Sequence, residues 1–290
     1  MSHTPVLLKE VITALAPGQG EFFIDGTAGS GGHAEAVLNK IGPKGKLLLI
    51  DWDQKNIEKL EEKFQKNTNI ILVKENYGNL LGLMHKMNFP QADGLLLDLG
   101  FSSEQIGDGR GFSFMAGGEP LIMTYSNEAK PLRQFLRETN IKELTEIISK
   151  FGEERYARRI AEAIIKNRHH IETSGELSEL IRQAVPKSYE RGRIHPATRT
   201  FQAFRIYLNQ ELDNLKKILN YLTEILKPGG RVAVISFHSL EDRIVKNYFR
   251  ELSQKGRLKI MNKKPIIASP EEIAENPRSR SAKLRAATII

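Results

Sequence analysis

The sequence predicts an α/β protein whose doubly wound, mostly parallel sheet is interrupted by an inserted all-helical domain. Three observations carry this reading. From Phe22 to Asp98, near-continuous apolar runs alternate with helix-compatible segments, the pattern of strands covered on both faces by crossover helices. The alternation stops in the glycine-rich stretch Gly107 to Pro120, after which only helical spacing is found until Arg231-Val232-Ala233-Val234-Ile235 reads as a strand. The run Phe22-Phe23-Ile24-Asp25 breaks into Gly26, Gly29, Gly31 and Gly32 and resumes as a helix-compatible segment at His33, which is a strand, a tight loop and a helix start. The expected division is a core in two parts, residues 1–110 and 198–290, around a helical insertion at 111–197.

The elements follow in order. Val6, Leu7, Val11, Ile12 and Leu15 have helical spacing that Pro17-Gly18 ends. Lys46 to Ile50 is a strand with Asp51 at its end, and a charged helix, Gln54 to Lys66, leads to the strand Ile70-Ile71-Leu72-Val73. A further helix precedes Gly94-Leu95-Leu96-Leu97-Asp98. In the insertion, Pro131 suits a helix start, Leu144 to Phe151 marks a helix closed by Gly152, and Tyr156, Ile160 and Ile164 mark another. Thr173 and Glu176 have capping-box spacing for a fourth, which Pro186 ends. The stripe Phe201, Phe204, Leu208, Leu212, Leu215, Leu219, Leu222 and Leu226 predicts one long helix up to Pro228-Gly229-Gly230. Ser239 and Asp242 are spaced as a second capping box.

The chain of 290 residues has a formal charge of +8, which favours an acidic partner such as nucleic acid. It has no cysteine, so disulfides, thiolate metal sites and cysteine nucleophiles are excluded. No apolar run approaches membrane-spanning length and Met1 to Pro5 lacks the plan of a signal peptide, so a cytoplasmic protein without membrane contact is expected.

Glycines let a backbone take positive φ and approach a ligand closely, and the N–H groups opening the next helix favour polar or anionic atoms. A nucleotide-like ligand is therefore expected at Asp25 to His33. Gly29-Ser30-Gly31-Gly32-His33-Ala34 also fits the loose dinucleotide pattern, and Asp51 stands where a ribose-binding carboxylate belongs, so nicotinamide and S-adenosylmethionine both remain open on spacing alone. Asp25, Asp51, Tyr77 and Asp98 all fall at or just after carboxyl ends of strands, where ligands of such sheets bind.

Longer motifs are more specific. Asp-Gly-Thr-x-Gly-x-Gly-Gly-His at 25–33, Leu97-Asp98-Leu99-Gly100, Arg110-Gly111-Phe112-Ser113-Phe114, Phe151-Gly152-Glu153-Glu154-Arg155, His195-Pro196-Ala197-Thr198-Arg199-Thr200-Phe201-Gln202 and Ile235 to Val245 together resemble the ribosomal RNA small-subunit methyltransferase H family, also called MraW-like. The resemblance spans nearly the whole chain. It implies a class I methyltransferase (Rossmann-like) fold, S-adenosylmethionine as cofactor, and methylation of the N4 amino group of a cytosine in bacterial 16S ribosomal RNA, free or in the small subunit. Carried over by position, it implies cofactor contacts at Gly31, Gly32, His33, Asp51, Tyr77, Asp98 and Gln105. One segment departs from the family. Where relatives usually read Asp-Met-Arg-Met-Asp, this chain has Ile122-Met123-Thr124-Tyr125-Ser126, so two carboxylates and an arginine are missing. That departure keeps open an RNA-binding relative with weak or lost turnover, or a methyltransferase for another RNA.

For a cytosine amino group, an acceptor drawing on an amino hydrogen restores nucleophilicity. Asp98, followed three residues later by Phe101, keeps the acid-x-x-aromatic spacing of amino-methyltransferases, with Asp98 serving only the cofactor as the alternative. His238, after a buried strand, is a second candidate for proton handling, unless it merely shapes the turn before a capped helix. Arg191, Arg193 and Arg199 lie in a basic run opposed only by Glu190 and are the expected RNA contacts. His169-His170 lacks further ligand spacing, and no metal is expected.

Overall fold

A computed structural model describes residues 5–100, 107, 109–115, 117–126, 129–191 and 195–290. The chain divides into two compact units, Met1–Gly100 with Leu212–Ile290, and Phe101–Glu211.

The first unit is built on a seven-stranded sheet: β1 (Phe22–Asp25), β2 (Lys46–Asp51), β3 (Ile70–Lys74), β4 (Ala92–Asp98), β5 (Leu226–Ser236), β6 (Leu258–Ile260) and β7 (Lys283–Ile289). The order is β3-β2-β1-β4-β5-β7-β6. The first five strands pair in parallel, whereas β7 runs antiparallel to both β5 and β6. Successive side chains of a strand face opposite ways, and here both faces are apolar. Ile24, Leu48, Ile50, Leu95 and Leu97 share one core cluster with Leu80, Leu215, Leu219 and Phe249. Phe23, Leu47, Leu49 and Leu96 share the other with Val11, Leu15, Val37, Ile41 and Leu60. Thus α4 (Leu80–Lys86), α10 (Glu211–Asn220), α11 (Leu222–Ile225) and α12 (Ser239–Gln254) contribute to one cluster. The helices α1 (Leu8–Leu15), α2 (Gly32–Ile41) and α3 (Gln54–Phe64) contribute to the opposite one. Parallel strands aligned this way bring their carboxyl ends to one edge.

The second unit has its own core. The helices α5 (Leu132–Glu138), α6 (Ile141–Gly152), α7 (Ala157–Asn167), α8 (Ser174–Ala184) and α9 (Ala197–Leu208) bury Leu132, Leu144, Ile160, Leu177 and Phe204 together. The expected box at Thr173 and Glu176 caps α8. Gly152 is required by close packing, since a Cβ there would stand 2.6 Å from the Arg199 carbonyl oxygen on α9.

Three expectations change. The stripe from Phe201 to Leu226 is not one helix: Asn209 and Gln210 separate α9 from α10, with Gln210 at a φ of 51° and buried Asn209 turning its amide to the Met123 carbonyl, Tyr221 separates α10 from α11, and Leu226 opens β5. The second capping box is formed by His238 and Glu241, with Asp242 paired instead to Arg285 at 2.6 Å. The helical unit also reaches beyond 111–197, since Ala197, Phe201 and Phe204 of α9 belong to its core.

The segment at 122–126 is fastened by burial and hydrogen bonds. Leu121, Met123 and Thr124 are buried, and the amides of Ile122 and Met123 donate to the Arg110 carbonyl at 3.2 and 2.8 Å. Asn209 clamps both sides of Thr124, donating to Met123 O and accepting from Tyr125 N, each at 2.9 Å. Buried backbone groups left without partners cost about 1–3 kcal/mol each. Asn209→Ala is therefore expected to destabilise the protein by about 2–4 kcal/mol and to speed hydrogen exchange at the Tyr125 amide. Urea unfolding and exchange mass spectrometry measure the two effects, and unchanged exchange at Tyr125 would remove the clamp.

Candidate active site

The carboxyl ends of β1, β2 and β4 present Asp25, Asp51 and Asp98 around the loop that leads into α2. The loop is held by the neighbouring strands: Gly26 N donates to Leu96 O at 3.0 Å and Ala28 N to Ile50 O at 2.9 Å. A Cβ on Gly26 would stand 2.7 Å from Leu97 Cδ2 and 3.3 Å from Tyr77 Cβ, so glycine lets the chain pass under Tyr77.

Thr27 ties the ends of β1 and β4 together. Its hydroxyl accepts from Asp98 N at 2.6 Å and faces Asp25 Oδ1 at 3.4 Å, while Asp25 Oδ1 also accepts from Thr27 N at 3.0 Å. Asp51 braces the loop from β2, accepting from Gly29 N and Asp53 N, both at 2.8 Å. His33, buried in the first turn of α2, has Nε2 2.9 Å from Val6 O and Nδ1 3.8 Å from Asp98 Oδ2. If Nε2 carries the proton for that carbonyl, neutral His33 turns a lone pair toward Asp98.

These carboxyls are poor acids for their type. Burial pushes Asp25 up to about 6, against the opposing influence of His33 and the Thr27 amide, and with a further push from Asp98 and Asp51. Burial likewise raises Asp98 to about 7; the Gly100 amide opposes it and the charge of Glu241 adds to it. Asp51 is raised by burial, opposed by the amides of Asp53 and Gly29 and by the Asn56 side chain. Burial lowers His33, which disfavours imidazolium despite Asp25 beside it.

The structure gathers Gly31, Gly32, His33, Asp51, Tyr77 and Asp98 about this loop, while Gln105 and Phe101 lie outside the described residues. Two glycines have a reason other than ligand approach: a Cβ on Gly31 would meet Leu60 and Phe64 at 2.8 Å, and one on Gly32 would meet Pro5 at 2.4 Å. Gly29 is the open one, with a φ of 52° and nothing nearer its missing Cβ than Thr27 O at 3.8 Å. His238 caps α12, its Nδ1 accepting from Glu241 N at 3.3 Å. Glu241 in return accepts from Phe237 N and His238 N. On the helical unit, Arg199 donates to Glu153 O at 3.1 Å. Arg193 and the side chain of Arg191 lie outside the described residues. His169 and His170 are exposed. Sequence reasoning gave no role to Thr27, Gly29 or Glu241. Thr27 and Gly29 stood within the glycine motif, whereas Glu241 was hidden as one acid of a helix start.

The fit of a cofactor can be tested on the site itself. Asp98 Oδ1 is buried and has no hydrogen-bond partner among the described residues, the loop has open room at Gly29, and three carboxyls converge. Such a cradle suits a ligand that brings hydroxyl and amino donors and positive charge, as S-adenosylmethionine does. A 3-2-1-4-5-7-6 sheet with this loop and these acidic strand ends defines an S-adenosylmethionine-dependent methyltransferase. The sequence matches the MraW methylase family over residues 1–290, and the chain belongs to that family. It is 41% identical to the ribosomal RNA small subunit methyltransferase H of Halothermothrix orenii, covering 99% of this chain and 98% of the relative. It is 44% identical to the protein of that name from Persephonella marina, covering 99% of each. Among solved structures, SMU.1697c, a methyltransferase of Streptococcus mutans in complex with SAH, aligns over 100% of both chains at 13% identity with a TM-score of 0.46. Among the described residues no helix is long and apolar enough to cross a membrane.

A carboxyl whose pKa is raised on folding holds its proton more tightly in the native state. Its stabilising contribution is complete below the unfolded value of 3.8 and is lost as pH rises through about 6 for Asp25 and about 7 for Asp98. Asp98→Asn cannot ionise, so its melting temperature should rise relative to the unmodified protein between about pH 4 and pH 7. Thermal melts of both proteins across that range measure the difference. A difference that does not change with pH would mean that Asp98 titrates as an ordinary carboxyl.

Proposed function

We propose that this protein methylates the N4 amino group of a cytosine in bacterial 16S ribosomal RNA, as free RNA or in the small subunit, in the cytoplasm. The observation that carries the reading is Asp98: a buried carboxyl at the end of β4 whose Oδ1 has no partner among the described residues and whose pKa is raised to about 7. The relatives' names supply the RNA class, and the net charge of +8 suits a polyanion. Bound S-adenosylmethionine supplies an electrophilic methyl group.

The protein's own residues do the rest. Asp51 offers its remaining lone pairs to the ribose hydroxyls, Gly29 leaves room beside them, and Tyr77 and the start of α2 at Gly31, Gly32 and His33 border the pocket. Methyl transfer is a displacement whose rate depends on alignment. Thr27 serves it by pinning the Asp98 backbone to the loop. Asp98 Oδ1 accepts the proton that the amino nitrogen sheds as its new N–C bond forms, and a pKa near 7 makes the carboxylate a stronger base than an ordinary aspartate. Glu241 favours that proton uptake through its charge, and His238 holds Glu241 in place through the cap of α12. Arg191, Arg193 and Arg199 are assigned to RNA phosphates.

Isotope-labelled methyl transfer to ribosomal RNA from cells lacking the gene, followed by nucleoside mass spectrometry, tests the reaction. N4-methylcytidine is expected. A methyl on another atom would change the substrate, and RNA binding without transfer would favour the relative that has lost turnover.

Asp51→Ala is expected to weaken S-adenosylmethionine binding by about 1.5–3 kcal/mol, the scale of hydrogen bonds to a charged group. Calorimetry measures it, and an unchanged dissociation constant in a folded variant would exclude Asp51 from the site. Asp98→Asn should lower the single-turnover rate at saturating RNA and cofactor by more than it weakens either ligand. Recovery of the full rate at high cofactor concentration would leave Asp98 with the cofactor alone.

A further inference from the structure

Two specific motifs of the helical unit, Arg110 to Phe114 and His195 to Gln202, are given no part in the cofactor contacts proposed above. They meet in a graded aromatic stack. Phe201, on α9, is buried at 3% exposure. The ring of Phe114 packs edge-on against it, with centroids 5.6 Å apart and planes at 78°. The imidazole of His195 lies flat on Phe114 at 4.6 Å and 11°. His195 is exposed, so the stack runs outward from the core and ends in a flat ring at the surface.

The imidazole is fixed twice. Phe114 holds one face, and Nδ1 accepts from Ala197 N at 3.2 Å as α9 begins. A polar residue that served only solubility would gain nothing from being held flat on a half-buried phenyl ring. Arg199, one helical turn beyond His195, has its guanidinium tied to Glu153 O at 3.1 Å. In the segment that contains Glu153, the exposed Arg155 lies over the rings of Tyr156 at 4.8 Å and Tyr189 at 5.6 Å.

Flat exposed rings beside guanidinium groups are the chemistry that recognises unpaired RNA: bases stack on the rings and phosphates meet the cations. We infer that His195, backed by Phe114 and Phe201, is a stacking platform for an unpaired base of the RNA substrate, with Arg155 and Arg199 on the adjoining backbone. This rests on the RNA reading given above and adds a base contact to it. A protein partner fits less well, because the ring that reaches the surface is the polar one of the three.

The test uses the full-length protein and a short single-stranded oligoribonucleotide carrying 2-aminopurine, whose fluorescence is quenched by stacking. Two variants separate stacking from helix capping: His195→Asn keeps an acceptor for Ala197 N but has no ring, and His195→Phe keeps a ring but has no acceptor. His195→Asn should lose the quench and weaken binding roughly 5- to 150-fold, the equivalent of the about 1–3 kcal/mol of one stacked base. His195→Phe should keep both quench and affinity, and cofactor binding should be unchanged in the two. Loss in His195→Phe equal to that in His195→Asn would show that a ring at this position is not what binds the base and overturn the platform. So would wild-type affinity in His195→Asn. If the wild-type protein binds neither the probe nor ribosomal RNA, the RNA reading falls, and the platform with it.

Discussion

The hydrogen bond from the Asp98 amide to the Thr27 hydroxyl is the contact on which the site depends. At 2.6 Å it joins the loop after β1 to the end of β4, and the same hydroxyl faces Asp25. Parallel pairing of β1 with β2 and β4 brings three acidic strand ends to one edge, but pairing alone would leave mutually repelling groups free to turn away. Thr27 and the Gly29 amide hold two of them to the loop, and burial resolves the repulsion by favouring protons on Asp25 and Asp98. The site thus stores unfavourable desolvation that a cationic ligand can relieve.

Much of this was legible in the sequence because the sheet is buried on both faces. Strands such as Leu47 to Ile50 then read as unbroken apolar runs, and their ends are marked by the acids that follow. Asp51 and Asp98 were placed from that grammar alone. The helical unit was legible as helices, and Gly152 and Thr173 mark real helix boundaries.

What was not legible shares a physical cause: tertiary contacts overrode a local pattern. The stripe through Leu208, Leu212 and Leu215 has unbroken helical spacing, yet Asn209 spends its amide on Met123 and Tyr125 and the helix ends there. Ser239 and Asp242 satisfy a capping pattern in the sequence as His238 and Glu241 do in the structure, but Asp242 is drawn to Arg285 and Lys283 of β7 instead. Gly31 and Gly32 looked like ligand-facing glycines, but the atoms their missing side chains would meet belong to α3 and Pro5. Spacing identifies a glycine and cannot say which neighbour requires it.

The position of β7 has a consequence for assembly. In the sheet it lies between β5 and β6, pairing Val232 with Ala287 on one side and Lys259 with Thr288 on the other. Until residues 283–289 settle there, β5 has an open edge along Arg231 to Ser236, and the short β6 has no partner at all. An apolar strand with unpaired amides is a template for foreign strands. Arg285 on β7, paired with Asp242 of α12, places a charged contact in that strand, where a hydrophobic intruder would leave Asp242 without it. The last strand therefore works as a latch, and its salt bridge helps the open edge distinguish its own strand from another.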